Sequence, residues 1–149
     1  MDLSKLLVGH DNSGGLDPSR AISGSFGLIF IDGIWQTNLN HLEATVENSK
    51  IELQLPNTPW TKHKNGPLKG TGTMSGYKVT SLMIQRGFSK YEIISKLDDP
   101  EAYGHERIRL KNVSNDRLNL ANWTAGEVVN EETPFTFEGY ELLDPIVAI

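Results

Sequence analysis

Short runs in which apolar and polar residues alternate dominate this sequence from residue 22 onward. Apolar residues at every second position, as at Leu42, Ala44 and Val46, place one set of side chains on one face of a strand. Similar runs recur at 51–55, 91–97, 107–113 and 135–142. Helical patterning is confined to 80–87, where Thr80 is the expected N-cap. The sequence therefore predicts a mainly β chain, with a β-sandwich or barrel-like core and one flanking α-helix.

Particular residues are expected to fill this core or to turn the chain. The side chains expected to point inward from the strand 135–142 are Phe135, Phe137 and, after a bulge at Gly139, Leu142. We also expect Trp123 to fill the core beside Leu118 and Leu120. The pair Asp32–Gly33 stands between two strand-forming runs and predicts a tight hairpin turn of the primed type.

The turn-forming residues divide the chain into an arm and one domain. Residues 1–21 contain the turn-forming clusters Asn12 to Gly15 and Asp17–Pro18 without sustained periodicity, and they predict an extended N-terminal arm. Residues 22–149 then form a single β domain. Within it, 56–69 contains three prolines and an Asn-Gly pair, which predicts a long inserted loop of the kind that carries function. The residues that we expect to make assembly contacts there are Trp60, Lys62, Lys64 and Lys69.

Charge is segregated along the chain. Residues 1–49 hold two Lys or Arg against six acidic residues, 50–90 hold seven against one, and 91–149 hold five against twelve. A basic middle between acidic ends suits subunits that meet head to tail, in contacts that can close into rings. A solvated surface on which charges happen to cluster fits the charge pattern equally well. The net charge of −5 argues against a protein that binds around nucleic acid.

The sequence offers no catalytic, metal or cofactor constellation. Cysteine is absent, and the four histidines stand too far apart for the i, i+3 or i+4 spacing of helical metal ligands. The glycine-rich string 70–78 lacks the adjacent Gly-Lys-Ser/Thr of a phosphate loop, so its glycines are expected to be structural. Asp98 and Asp99 beside Pro100 are expected to form a turn. We predict no enzyme, no cofactor, no metal site and no membrane span.

Three ordered segments carry a resemblance to a known family. They are Glu106 to Val113 (ERIRLKNV), Leu118 to Trp123 (LNLANW) and Glu132 to Tyr140 (ETPFTFEGY), with support from Gly70 to Thr73 and Ile94 to Pro100. Together they resemble the tail tube proteins of contractile-tailed phages, above all those of defective prophages and phage-tail-like bacteriocins of Gram-positive bacteria. The resemblance covers residues 22–144. It is specific as an ordered set, while no single segment is diagnostic.

The resemblance implies a structural subunit that forms stacked, hexameric rings inside a contractile sheath. It implies a β-sandwich or barrel with a flanking helix, whose sheets join around a lumen that serves DNA passage or membrane puncture. The implied partners are further copies of the chain and the sheath, baseplate and tape-measure proteins, with transient, non-specific contact to DNA. The implied location is a virion or phage-tail-like particle, with synthesis in the bacterial cytoplasm.

One segment departs from the family pattern. The tube proteins begin near the equivalent of Ala21 to Gly24, whereas residues 1–20 precede that point here. This arm either extends contacts between stacked rings or marks a specialised subunit at a tube end. Without the resemblance, a small-molecule-binding β-barrel with 56–69 as a lid is the competing interpretation.

Overall fold

Ten β-strands, one short α-helix and two 3-10 helices (Pro18–Arg20 and Gly24–Phe26) account for the regular structure of residues 15–148, the part of the chain that the computed structural model describes. The strands are β1 (Gly27–Ile31), β2 (Ile34–Trp35), β3 (Leu39–Asn48), β4 (Ile51–Leu53), β5 (Lys62–Lys64), β6 (Leu68–Tyr77), β7 (Tyr91–Leu97), β8 (Glu106–Asn115), β9 (Asn130–Phe137) and β10 (Gly139–Asp144). The helix is α1 (Leu82–Arg86). This architecture confirms the mainly β prediction with one flanking helix. Most of the predicted arm, residues 1–14, lies outside the described residues.

Eight strands form one antiparallel system that folds into two facing halves. The strand order is β2-β1-β7-β8-β9-β6-β3, and β10 pairs with β8. We call β2, β1, β7, β8 and β10 the first half, and β9, β6 and β3 the second half. Strand β8 belongs to both, because its residues up to Val113 pair with β7 while Ser114 and Asn115 pair with β9. The chain crosses again between β9 and β10, so strand β8 and the β9–β10 junction both connect the halves covalently.

Alternating side chains from both halves make the core. On β9 the buried residues are Glu131, Thr133, Phe135 and Phe137, and their neighbours in sequence face outward. The inward positions of Phe135 and Phe137 are therefore as predicted. Leu142 pairs with Ile108 and so lies on the inward face of the first half, as predicted, but its side chain stays 51% exposed. The physical reason is that the chain does not continue as one bulged strand but leaves the second half at Gly139 and forms β10 against β8.

Two glycines of β6 make room for the core phenylalanines. Gly70 pairs with Phe137 and Gly72 with Phe135. A Cβ added at Gly72 would lie 2.3 Å from the carbonyl oxygen of Glu43 and 2.5 Å from the Phe135 ring. The glycine-rich string is therefore a packing feature, in which the missing side chains admit the aromatic rings and the backbone of β3.

The region between β3 and β6 corrects one expectation. Residues 56–69 were expected to be a loop, but the structure places β5 and the start of β6 within them. Strand β5 pairs with β4 in a two-stranded sheet that is separate from the eight-stranded system. Residues 54–61 join these two strands. The loop prediction is wrong for Lys62–Lys64 because this stretch pairs with the alternating residues Ile51–Leu53.

Helix α1 is shorter than expected and differs at its start. Its N-cap is Ser81 rather than Thr80, and no side-chain hydrogen bond caps it. Met83 is its buried residue. Gly87 ends the helix with φ +62, a conformation that favours glycine. No helix among residues 15–148 is long and apolar enough to cross a membrane.

Both expected turns form. Asp32 and Gly33 have φ values of 49° and 82°, as a primed hairpin turn requires. Asp99 is buried, and its carboxylate accepts hydrogen bonds from the backbone N–H groups of Ser23, at 3.0 Å, and Glu101, at 2.9 Å. These two N–H groups hold the pKa of the Asp99 carboxyl below its ordinary value. Asp99 thus fastens the segment before β1 to the loop after β7.

Candidate assembly surfaces

The β4–β5 hairpin presents an apolar and basic face outside the core. Ile51 pairs with Lys64 and Leu53 with Lys62, so these four side chains share one face of the hairpin. A hydrogen bond of 3.0 Å from the side chain of Gln54 to Thr61 extends this pairing by one residue. Ile51 is 48% and Leu53 41% exposed. The hairpin therefore offers a surface that is apolar along one strand and basic along the other.

Trp60 lies at the tip of this hairpin. Its side chain is 75% exposed, and its backbone N–H donates to the Thr58 hydroxyl at 3.2 Å, which shapes the turn. At the base, the Asn48 side chain accepts a hydrogen bond from Gly66 N–H at 3.0 Å. The base is thus fixed to β3 while the tip projects. An exposed tryptophan at a fixed position is typical of a residue that anchors an interface.

The four predicted contact residues do not all lie together. Trp60, Lys62 and Lys64 are on the hairpin, whereas Lys69 is on β6, paired with Glu47 of β3. No ion pair involving these three lysines is found among residues 15–148. Their charges are therefore not neutralised by ion pairs within the described chain.

The other two tryptophans are also exposed. Trp35, on the two-residue strand β2, is 54% exposed, and Trp123 is 72% exposed. The expectation that Trp123 fills the core with Leu120 is wrong, because Leu120 is itself 72% exposed and only Leu118 is half-buried. Trp35 and Trp123 were missed as contact candidates because an apolar residue between turns looks the same in sequence whether it faces a core or a partner. With all three tryptophans outside the core, much of the aromatic surface is available for contact with other chains.

Strand β3 is a long free edge. It has ten residues and pairs with β6 on one side, and it stands last in the strand order of the eight-stranded system. Its other side leaves backbone N–H and C=O groups without a strand partner in the described chain. Such an edge is a template for pairing with another chain. Ala44 and Val46, on the side of β3 that faces the first half, are exposed as well.

The outer face of the first half carries a ladder of ion pairs. Arg109 of β8 donates two hydrogen bonds to Glu92 of β7, at 3.0 and 2.6 Å, and lies 3.8 Å from Glu141 of β10. The Arg109 guanidinium lowers the pKa of the Glu92 carboxyl, and Glu92 in turn raises the pKa of Arg109. The bidentate pair holds β8 against β7, and the contact with Glu141 adds β10.

A second group of charges closes the end of β10. Asp144 accepts hydrogen bonds from Arg107 and, at 3.0 Å, pairs with His105. Hydrogen bonding from Arg107, assisted by His105, lowers the pKa of the Asp144 carboxyl. The basic residues of β8 are thus satisfied within the chain, unlike the lysines of the hairpin.

Two adjoining clefts lie between the halves. The larger, about 580 Å³, is lined by residues of β1 and β3 such as Ile29 and Leu42. The smaller, about 290 Å³, is more apolar and reaches Tyr140. Both open to solvent, and no group of three or more His, Asp or Glu that could hold a metal is found in the part of the chain described. These clefts show where the two halves fail to close completely along β3.

Comparison with known proteins decides between assembly and ligand binding. A family model described as phage tail tube protein matches residues 15–144. The chain belongs to the phage tail tube protein family. A curated relative, the phage-like element PBSX protein XkdM of Bacillus subtilis (strain 168), is 32% identical, covering 85% of this chain and 93% of that protein. The resemblance predicted from the sequence is confirmed.

Solved structures agree with this tail tube assignment at the level of fold. The anti-feeding prophage cap, a tube-terminating cap, superposes with a TM-score of 0.68 at 10% identity, covering 84% of this chain and 92% of that one. The sheath–tube complex of an extracellular contractile injection system, PVC, in its extended state gives a TM-score of 0.66 at 12% identity, covering 82% and 90%. This tail tube family member therefore shares its fold with proteins of contractile injection systems.

Proposed function

We propose that this chain is the subunit of the inner tube of a contractile phage tail or tail-like particle, in which six copies close into a ring and the rings stack. The observation that carries the proposal is the free edge of β3 in a chain of the tail tube family. A ten-residue edge exposed in solution would invite uncontrolled pairing. Closure of a ring removes that edge from solution, since each copy covers the edge of its neighbour.

Head-to-tail closure requires two different surfaces on each copy. The free edge of β3 is one. The other is on the first half, where β10 pairs with β8 on one side and has no second strand partner in the described chain. Contacts between unlike surfaces generate rings when the rotation between copies closes. The segregated charge of the sequence supports the same arrangement, because a basic segment of one copy would meet an acidic segment of the next.

Stacking of rings is assigned to the β4–β5 hairpin. Trp60 with Ile51 and Leu53 provides the apolar contact, and Lys62 and Lys64 meet acidic surface on the next ring, with Lys69 beside them at the end of β6. We also assign the N-terminal arm, residues 1–21, to contacts between rings. Burial of such an aromatic anchor contributes more to an interface than the surrounding rim charges do.

The proposed tube serves as a conduit for DNA or for membrane puncture, without catalysis. Its partners in the particle are the sheath, the baseplate and a tape-measure protein, and its location is the virion or tail-like particle after synthesis in the bacterial cytoplasm. The sheath–tube and prophage-cap structures that share the fold support these roles. The small-molecule barrel receives no support from a chemical cluster in the clefts.

The test is electron microscopy of the purified full chain, with light scattering over a range of concentrations. We expect rings and tubes with six-fold symmetry, above a critical concentration. Class averages with another symmetry would refute the hexameric ring. A chain that stays monomeric even when supplied with tail baseplates as initiators would refute the tube function.

A further inference from the structure

A row of three clefts along the inward side of β3 forms one groove. The first cleft, of about 580 Å³, includes Leu39 and Leu42, and the second, of about 290 Å³, includes Leu42 and Val46. The third, of about 70 Å³, also includes Val46, so each cleft shares a β3 residue with the next. We call this row the β3 groove. It follows β3 from Leu39 to Val46, over about 23 Å at the usual rise of a strand.

The walls of the β3 groove are apolar but uncovered. In the described chain, Ser95 and otherwise only apolar or aromatic residues line the second cleft. Tyr140 lines it from β10, since it pairs with the buried Leu110 and points to the same side. Val46 is nevertheless 41% exposed and Tyr140 58% exposed. A concave apolar surface of this kind marks a place where an apolar segment binds.

The segment before β1 is fixed beside this groove. The Arg20 guanidinium donates a hydrogen bond of 2.8 Å to the carbonyl oxygen of Glu101. Three residues later, the backbone N–H of Ser23 is held by the Asp99 carboxylate. Residues 24–25, which follow directly, line the first cleft. The N-terminal arm is therefore attached to the domain next to the β3 groove.

Residues 1–14 of the arm carry apolar side chains that match the groove. They lie outside the described residues and outside the stretch 15–144 that the family model matches, so family membership does not specify their role. Their apolar residues are Leu3 and the run Leu6 to Val8, besides the initial methionine. Fourteen extended residues span up to about 46 Å, which exceeds the length of the groove. The arm has both the chemistry and the length to occupy it.

Attachment to the same chain favours this arm over a second copy as the occupant. A tethered segment binds at an effective concentration in the millimolar range, set by the length of its tether. Another copy of the chain competes only at its concentration in solution. At micromolar protein, even a weak contact between the arm and its own groove therefore forms before a contact with another copy.

We propose that Leu3 to Val8 bind in the β3 groove of their own copy in the free subunit and cap the edge of β3 until a neighbouring copy displaces them. The groove opens along β3, so its occupant lies against the strand edge that the next copy covers in the ring. Docking of the arm and closure of the ring then exclude one another, and the displaced arm becomes available for contacts between rings. The inference rests on the proposed function. It goes beyond it because it states what protects a ten-residue free edge before assembly.

The absence of cysteine from the chain permits a test by disulfide trapping. Leu3→Cys, Leu6→Cys and Leu7→Cys are each combined with Ala44→Cys, at a position that lines the second cleft. Thr45→Cys is the matched control, because the next residue of a strand points to the opposite face. The full-length variants are oxidised at a concentration too low for assembly. Non-reducing electrophoresis and mass spectrometry then identify the linked species.

The linked species decides which segment occupies the groove. We expect an intramolecular disulfide with Ala44→Cys in at least one of the three arm variants, and none with Thr45→Cys. Disulfide-linked dimers would overturn the proposal, because the groove would then take the arm of a second copy. The absence of a disulfide from all three pairs, or equal yields with Ala44→Cys and Thr45→Cys, would overturn it as well.

The trapped subunit also tests the capping step. We expect the oxidised variant to form no tubes, and the same protein to form them after reduction. Oxidised protein that assembles as well as reduced protein would show that the docked arm does not cap the edge. Failure of the proposed function gives a different result, since the reduced variant and the unmodified chain then form no tubes either, while the disulfide in the monomer is unaffected.

A dye-binding measurement tests the same contact without new thiols. We expect Leu6→Asp/Leu7→Asp to release the arm, expose the groove and raise the fluorescence of the apolar dye ANS above that of the unmodified monomer. Asn12→Asp/Ser13→Asp adds the same charge to the arm outside its apolar run, and we expect it to leave the fluorescence unchanged. Equal fluorescence of the two variants would contradict docking of the arm.

Discussion

At the scale of single residues, the packing of β6 depends on its glycines, which have no side chain. Phe135 and Phe137 fill the core because β6 presents glycine opposite each ring. The alternation of the C-terminal strand predicted the two phenylalanines. The reason for the glycines is visible only in the structure, because which strand lies opposite is not encoded locally.

Gly72→Ala tests this packing. We expect a loss of about 1–3 kcal/mol in the free energy of unfolding, since the new methyl group would overlap the carbonyl oxygen of Glu43 and the Phe135 ring. Gly139→Ala is the matched control within a strand, because its nearest neighbour would be the Lys111 side chain at 3.6 Å. Urea denaturation of the monomer measures both. Equal losses in the two variants would contradict the packing argument.

The apolar residues that stay exposed against expectation share one cause. Trp123, Leu120 and Leu142 were expected inside, and all three are more than half exposed. Local sequence encodes that a side chain is apolar, but it does not encode whether the apolar surface covering it comes from the same chain. An apolar residue that stays exposed on the single chain therefore looks like a core residue in the sequence.

At the scale of elements, strands with a clean alternation were predictable. Tyr91–Leu97 was predicted over the range that the structure has, and the Asp32–Gly33 turn forms as expected. The separation of 135–142 into two strands in different halves was not predicted, because the crossing at Gly139 follows from pairing with β8. The β4–β5 hairpin was missed for a related reason, since three prolines within 56–69 suggested irregular chain.

Removal of the hairpin tests its role as an element. Residues 50–66 are replaced by Asn-Gly, which joins Ser49 to Pro67, a pair whose backbone hydrogen bond already closes the ladder at 3.0 Å. Because β4 and β5 form a sheet of their own, we expect the melting temperature of the monomer not to fall. We expect rings to form but their stacking to be impaired. If the lost contact contributes about 1.4 kcal/mol or more to stacking, tubes become at least about tenfold shorter.

Point variants separate the two parts of the hairpin surface. Trp60→Ala removes the apolar anchor, and Lys62→Glu/Lys64→Glu reverses the charge. Arg117→Glu, exposed and outside the hairpin, is the control for charge alone. Tubes of normal length from the hairpin replacement, measured by electron microscopy, would show that stacking uses another surface.

At the scale of the whole molecule, the distribution of charge determines which cations are left to attract another copy. Basic residues of β8 are paired within the chain, whereas the hairpin lysines are left without ion pairs in the described chain. In the proposed assembly, we therefore expect the long-range attraction between copies to come from the basic middle of the chain. The sequence indicated this segregation, but it could not show which cations are already neutralised.

Salt should weaken assembly for this reason. Screening shortens the range of electrostatic attraction from about 10 Å at 0.1 M to about 3 Å at 1 M salt. We expect the critical concentration for tube formation to rise about threefold over this range, which corresponds to a contribution of about 0.7 kcal/mol per subunit contact. Sedimentation of assembled tubes measures it. Lys62→Ala/Lys64→Ala should flatten the dependence, and a critical concentration that falls with salt would show that apolar contacts dominate.

The two chain segments that run from one half into the other have a mechanical consequence. When a sheath contracts around a tube, load enters at the outer wall and must reach the inner wall. In this chain β8 and the continuous β9–β10 segment run from one half of the subunit into the other. Shear between the two halves is therefore resisted by covalent backbone as well as by side-chain packing. Each subunit should then deform as one rigid unit, without sliding between its halves.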